Sequence, residues 1–139
     1  MEVAAIERLI RISREKPLLP ETFVPWNNPI EPGEIYLPYQ FVSLHGLPAY
    51  NRLSEAQKQA LARHEVVQVM YSYAWSESLF CLFMNRYLLT LTPDHIEHRF
   101  ILRELIEEFR HQDMFSMAIE KLEGKPIPAG WHHRFWGKL

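Results

Sequence analysis

The sequence predicts an all-α fold built on one long helical hairpin, half of a four-helix bundle, preceded by a proline-rich arm. Apolar side chains recur at helical spacing over 54–123, with one break at Thr92-Pro93-Asp94. Seven of the ten prolines fall in residues 16–53, and proline is incompatible with the interior of a helix. The composition, 47% hydrophobic and 23% charged residues, is typical of a globular chain with a core.

Composition also excludes several classes of protein. The chain has 139 residues and a net charge of −2, which favours a single domain without a nucleic-acid surface. Its one cysteine, Cys81, excludes an internal disulfide and favours a reducing, cytoplasmic setting. The N-terminus lacks the features of a signal peptide. The most apolar stretch, 66–91, contains Glu77, Asn85 and Arg86, so we expect a buried helix and no membrane span.

The first third of the chain is predicted to contain one short helix and the arm. Residues 1–15 carry apolar side chains at helical spacing, which indicates a short amphipathic helix. Residues 16–53 combine their prolines with many aromatic and aliphatic side chains. Because this segment is too apolar for a solvated linker, we expect an extended arm packed across a helical body.

A long helix is predicted for residues 54–91. Ser54 is a suitable N-cap, since its hydroxyl can accept a hydrogen bond from a free N–H group of the first turn. Glu55 follows at the positive end of the helix dipole. These signals place the start of the helix at the end of the arm.

A second long helix is predicted for residues 92–123. Thr92 is the expected N-cap and Pro93 the expected first helical residue. Gly124 is expected to end the helix, because glycine readily adopts the left-handed conformation that follows a last turn. Residues 124–139 then form a tail.

Three side chains on these helices indicate a metal site. Glu108 and His111 form a Glu-x-x-His pair, which places a carboxylate and an imidazole on one helix face. Glu77 lies 31 residues before Glu108, and their midpoint falls at the Thr92-Pro93 break. In a hairpin that turns there, the two carboxylates lie level with each other. This ligand set is half of a di-iron carboxylate site.

The same acids lie on apolar helix faces. On helical wheels, Glu77 falls within an apolar stripe, and Glu104 and Glu108 fall within an apolar arc of the second helix. A carboxylate on such a face is costly unless its charge is compensated. Carboxylate and imidazole ligands without a thiolate favour iron, or alternatively manganese, over structural zinc. The alternative is a hydrogen-bonded polar cluster without metal.

Other residues near the predicted site have two interpretations each. Glu104, one turn before Glu108, either lies next to the metal ligands and orients them or forms an ion pair with an arginine. Tyr73, one turn before Glu77, either donates a hydrogen bond near the metals or is a core tyrosine, and the core is favoured. His132 and His133 are predicted to be surface residues rather than ligands.

Several of these features together resemble a known family. They are the segment Tyr36-Leu37-Pro38, the segment from Leu47-Pro48-Ala49-Tyr50 to Asn51-Arg52-Leu53-Ser54, Glu77 on one helix, and Glu108-x-x-His111 on the next. Residues 36–123 resemble the N-terminal half of the di-iron oxygenases of the p-aminobenzoate N-oxygenase (AurF-like) family, within the ferritin-like superfamily. The chain is therefore predicted to be a single partial ferritin-like domain, 1–139.

The resemblance implies a four-helix bundle with two irons that activates O2 to oxidise a small organic substrate, an arylamine in the name-giving members. It implies Glu77, Glu108 and His111 as ligands from the first half of the bundle. The family's second Glu-x-x-His does not occur in the sequence. Three arrangements remain open: a second half missing from this chain, a separate polypeptide that carries it, or a homodimer with the site at its interface.

Three functions follow from these patterns. The first is a di-iron oxygenase, or its N-terminal half. The second is a non-enzymatic protein that binds or oxidises iron, with a ferritin-like site completed by a second copy. The third is a helical interaction module without metal, which leaves the inward carboxylates without a counter-charge.

Overall fold

The structure, a computed structural model, describes residues 3–31, 33–34, 36–128 and 130. These residues form helices, turns and loops, and no strand occurs among them. The α-helices are α1 (Val3–Glu15), α2 (Pro20–Phe23), α3 (Pro48–Asn51), α4 (Glu55–Leu88) and α5 (Ile96–Lys121), and a 3-10 turn spans Tyr39–Phe41. The all-α prediction is confirmed.

The chain divides into two compact units. The first comprises Met1–Pro25 and Tyr73–Met114, and the second comprises Trp26–Ser72 and Phe115–Leu139. Each unit contains part of α4 and part of α5, and each has its own buried apolar residues.

In the first unit, the second part of α4 packs against the first part of α5. Cys81 of α4 lies in a buried cluster with Ile101 and Leu105 of α5. Ser78, earlier on α4, donates a hydrogen bond to Gln112, later on α5, at 2.8 Å. Residue numbers increase along α4 while those of the contacting residues on α5 decrease. The two helices therefore run antiparallel here, as a ferritin-like hairpin requires.

In the second unit, the arm covers the first part of α4. Val42 and Tyr50 of the arm form a buried cluster with Ala62 of α4. Glu65 of α4 accepts hydrogen bonds from the backbone N–H of Ser43 at 3.0 Å and from its hydroxyl at 2.5 Å. The arm is therefore fixed to the helix by apolar and polar contacts together.

The arm itself differs from the prediction for residues 16–53, because it contains single helical turns. Pro20 begins α2 and Pro48 begins α3. At the first helical position a proline loses no helix hydrogen bond, and its fixed φ angle suits the helix. The prolines thus exclude long helices from the arm, but they favour the start of short ones.

The start of α4 shows reciprocal capping. The backbone N–H of Gln57 donates to the Ser54 hydroxyl at 3.3 Å, and the Ser54 N–H donates to the Gln57 side chain at 2.9 Å. This capping box satisfies backbone donors that have no partner within the helix. The helix ends at Leu88, three residues before the predicted boundary at 91.

The start of α5 corrects the sequence prediction. The helix begins at Ile96 and not at Pro93. The N–H of His95 donates to the Thr92 carbonyl at 3.0 Å, so residues 92–95 form a turn. The N–H of Glu97 then approaches Nδ1 of His95 at 3.4 Å. His95 therefore occupies the capping position that the sequence assigned to Thr92.

The end of α5 follows a Schellman pattern. The N–H of Gly124 donates to the Ile119 carbonyl at 3.0 Å, and the N–H of Glu123 donates to the Glu120 carbonyl at 2.8 Å. Glu123, and not the predicted Gly124, takes the left-handed conformation, with φ of 48°. Gly124 is required for another reason, since a Cβ atom there would lie 2.3 Å from Cγ2 of Val67.

Two substitutions test this account of the helix end. Gly124→Ala is expected to lower the free energy of unfolding by roughly 1–3 kcal/mol, because the buried, β-branched Val67 cannot move aside easily. Glu123→Gly is expected to raise it by about 0.5 kcal/mol, since glycine tolerates positive φ. Urea denaturation of both variants measures these changes. Equal effects of the two substitutions would contradict the assignment.

Candidate metal centre

Glu77, Glu108 and His111 come together in the first unit. One potential ligand atom of each side chain lies within 4.8 Å of the others. Nδ1 of His111 is 3.2 Å from Oε2 of Glu108 and 4.0 Å from Oε1 of Glu77. Within the part of the chain that the structure describes, these three side chains form a group compact enough to hold a metal ion.

The hairpin produces this cluster through simple helix geometry. Glu108 and His111 are three residues apart and therefore neighbours on one face of α5. Glu77 meets them because α4 runs antiparallel to α5 in this unit. The amide of Gln112 contacts both Ser78 and the Cys81 sulfur, at 2.8 and 3.5 Å, which fixes the register of the two helices beside the cluster.

The Glu108 carboxyl group perturbs the carboxyl group of Glu77. A hydrogen bond between Glu77 and Glu108 raises the pKa of Glu77 to about 7, with further contributions from burial and from the Glu108 charge. His111 opposes this rise. The Glu77 and Glu108 side chains are 25% and 16% exposed, so water solvates them only in part. Without a cation, Glu77 thus keeps its proton into the neutral range.

This donor set fits iron or manganese. A divalent cation can replace the shared proton and neutralise both carboxylates, while a neutral imidazole completes a mixed oxygen and nitrogen set. Cys81, one turn from Glu77, is 5% exposed. Burial raises the pKa of its thiol, followed by the effect of the Glu108 charge. The Cys81 thiol therefore remains protonated and does not contribute a thiolate ligand to the site.

The two neighbours singled out by the sequence lie in different surroundings. Glu104 is half-buried, and burial, then the charges of Glu108 and Glu107, raises the pKa of its carboxyl group. Arg110 pairs with Glu107, at 2.6 Å. Tyr73 is 51% exposed, so the expectation of a core tyrosine is wrong.

Two further features bear on the sequence predictions. His132 and His133 lie outside the described residues. Glu107 is half-buried and accepts a hydrogen bond from Ser13 of α1 at 3.4 Å. The sequence carried no signal for this contact, because it depends on where α1 packs.

Comparison with known proteins identifies the family to which the chain belongs. The whole chain, residues 1–139, matches the family model described as P-aminobenzoate N-oxygenase AurF. The chain belongs to this family. The resemblance found in the sequence is confirmed, and the match extends beyond residues 36–123 to both ends. No curated protein and no solved structure matches the chain.

Membership of the AurF family indicates an oxygenase of the di-iron type in general. The compact carboxylate and imidazole cluster agrees with this chemistry. Among the described residues, none of the helices combines the length and apolarity that crossing a bilayer requires.

The raised pKa of Glu77 predicts how pH affects the stability of the metal-free protein. The folded-state pKa of Glu77, about 7, is above the ordinary value of 4.5, so folding favours the protonated form. Stability is therefore expected to fall as pH rises from 4.5 through 7. Glu108→Gln removes the neighbouring charge, so it should lower the pKa of Glu77 and reduce this loss.

Urea denaturation in the presence of a chelator, at pH values on both sides of that window, measures the effect. Glu120→Gln is a matched control, because Glu120 is an exposed residue of α5. A Glu108→Gln variant with the pH dependence of the parent chain would contradict the assignment.

Proposed function

We propose that this AurF-family chain contributes Glu77, Glu108 and His111 to a non-haem di-iron centre that activates O2 to oxidise a small organic substrate. The observation that carries the proposal is the approach of their ligand atoms to within 4.8 Å of one another. Family membership supports iron in particular as the metal.

The three side chains have distinct roles in this proposal. Glu108 contacts both other residues, through a hydrogen bond with Glu77 and a 3.2 Å contact with His111. Glu108 would therefore hold the metal together with Glu77 and His111. When bound, iron supplies the redox chemistry that O2 activation requires. The protein positions the ligands through the Gln112 contacts and partly shields the carboxylates from water.

A second copy of the chain completes the ligand set in this proposal. Across a twofold axis, two copies supply four carboxylates and two imidazoles, which is the complement of a di-iron carboxylate site. His111 is 46% exposed, so the cluster is open on one side. Phe80, Phe83 and Tyr87 of α4 are exposed large side chains close to Glu77 in sequence, and such a surface favours association.

An arylamine is the proposed substrate class. The family description names p-aminobenzoate and oxidation at nitrogen. The apolar and aromatic surfaces around the cluster suit an aromatic ring.

Oxygen consumption tests the proposed activity. The chain is loaded anaerobically with Fe(II), reduced and exposed to O2 with p-aminobenzoate, and the products are identified by mass spectrometry. We expect consumption coupled to an oxidised product. Glu77→Ala and His111→Ala should each reduce product by more than about tenfold, since even outer contacts of metal sites cost that much. Glu120→Ala, an exposed position of α5, should not.

The other outcomes separate the remaining functions. Iron-dependent O2 consumption without any organic product would replace the oxygenase by a protein that only oxidises iron. Rates that do not change in Glu77→Ala and His111→Ala would remove the cluster from the reaction. A chain that neither binds iron nor consumes O2 would favour a helical interaction module.

A further inference from the structure

A cavity of about 390 Å³ lies in the first unit between α1, α4 and α5. Its volume is in the range of small-molecule sites in proteins. Arg14 of α1 lines it together with Arg99 and Arg103 of α5, and within the part of the chain that the structure describes no carboxylate lines it. The cavity is therefore strongly positive, and we refer to it as the arginine cavity.

The three arginines lack a counter-charge. Among the described residues, no carboxylate forms an ion pair with any of their side chains. Glu7 and Glu15 line an adjoining cavity, but they too form no ion pair with these arginines. Arg99 lies in the first turn of α5, one turn before Arg103. Like charges at this spacing destabilise a helix, and so does a cation near its N-terminus. A bound anion would offset both effects.

Apolar side chains lie beside the arginines in this cavity. Ile10 of α1 and Leu105 of α5 line it and are buried. Leu102, Ile106 and Phe109 of α5 also line it, and all three are exposed. A ligand that matches the cavity therefore combines an anionic group with an apolar body that covers these side chains.

We propose that the arginine cavity binds a small organic phosphate monoester. A phosphate monoester carries close to two negative charges and three acceptor oxygens. The guanidinium group binds such oxygens through paired N–H donors. Three guanidinium groups without a counter-charge therefore favour a phosphate over a carboxylate, which carries a single charge. The organic body packs against the apolar side chains of α5.

This site is separate from the candidate metal centre. None of the three candidate ligands of the metal lines the arginine cavity. The spacing of Arg99, Arg103 and Ile106 places them on one face of α5, and Glu108 falls on the opposite face of the helix. Phosphate binding therefore requires neither the metal nor the proposed oxygenase activity.

Binding of small probes to the metal-free, full chain tests the inference. Phenyl phosphate is the probe. Benzoate keeps the ring but carries one charge, and inorganic phosphate keeps the phosphate group but lacks the ring. Titrations followed by protein NMR in the presence of a chelator give the affinities. We expect phenyl phosphate to bind more tightly than either analogue.

Substitutions locate the site. Arg14→Gln and Arg103→Gln should each weaken phenyl phosphate binding by about tenfold, as expected for loss of a hydrogen bond between charged groups. Arg8→Gln is the matched control and should leave binding unchanged, because Arg8 is an exposed residue of α1 that does not line the cavity. Phe109→Ala, at a side chain 56% exposed, should weaken phenyl phosphate binding and leave inorganic phosphate binding unchanged.

Several outcomes would overturn the inference. They are no binding of phenyl phosphate, benzoate binding as tight as that of phenyl phosphate, or Arg14→Gln and Arg103→Gln variants that bind phenyl phosphate as the parent does. An Arg8→Gln variant that binds as weakly as these two would also overturn it, since the attraction would then come from the basic surface of α1 in general. Because the titrations use metal-free protein, a failure of iron binding leaves this result intact.

Discussion

The approach of the Glu77 and Glu108 carboxyl groups is the constraint on which the rest of the first unit depends. Two such groups do not both ionise readily in a partly buried place: either one of them binds a proton or a cation neutralises both. In the metal-free chain, the hydrogen bond with Glu108 raises the pKa of Glu77 to about 7. Placing two carboxyl groups together costs free energy in the metal-free protein. Two carboxyl groups beside an imidazole are, however, the arrangement that a metal ion would stabilise most.

The cluster was predictable from the sequence because helix geometry alone determines it. The Glu-x-x-His spacing fixes Glu108 and His111 on one face, and the position of the break between the helices sets Glu77 level with them. An approximate position of the break between the helices was sufficient for this prediction. Although α5 begins at Ile96 rather than at Pro93, the antiparallel packing still brings Glu77 to Glu108.

Details that depend on tertiary contacts were not predictable in this way. The left-handed residue after α5 was assigned to Gly124, but Val67 packs against that glycine and Glu123 takes the positive φ. Tyr73 was expected in the core because it shares a helix face with Glu77, yet that part of the face is open. The environment of Glu104 likewise depends on where α1 and α2 lie, and the sequence left that position open.

The proposed di-iron centre can be tested by measuring iron content per chain, together with absolute mass, after anaerobic Fe(II) loading and gel filtration. We expect about one iron per chain in a dimer, since two copies supply the ligands of a two-iron site. We also expect loss of that iron from a chain with Glu77→Ala, Glu108→Ala and His111→Ala combined. Equal iron in the parent and the triple variant, or none in the parent at any mass, would contradict it.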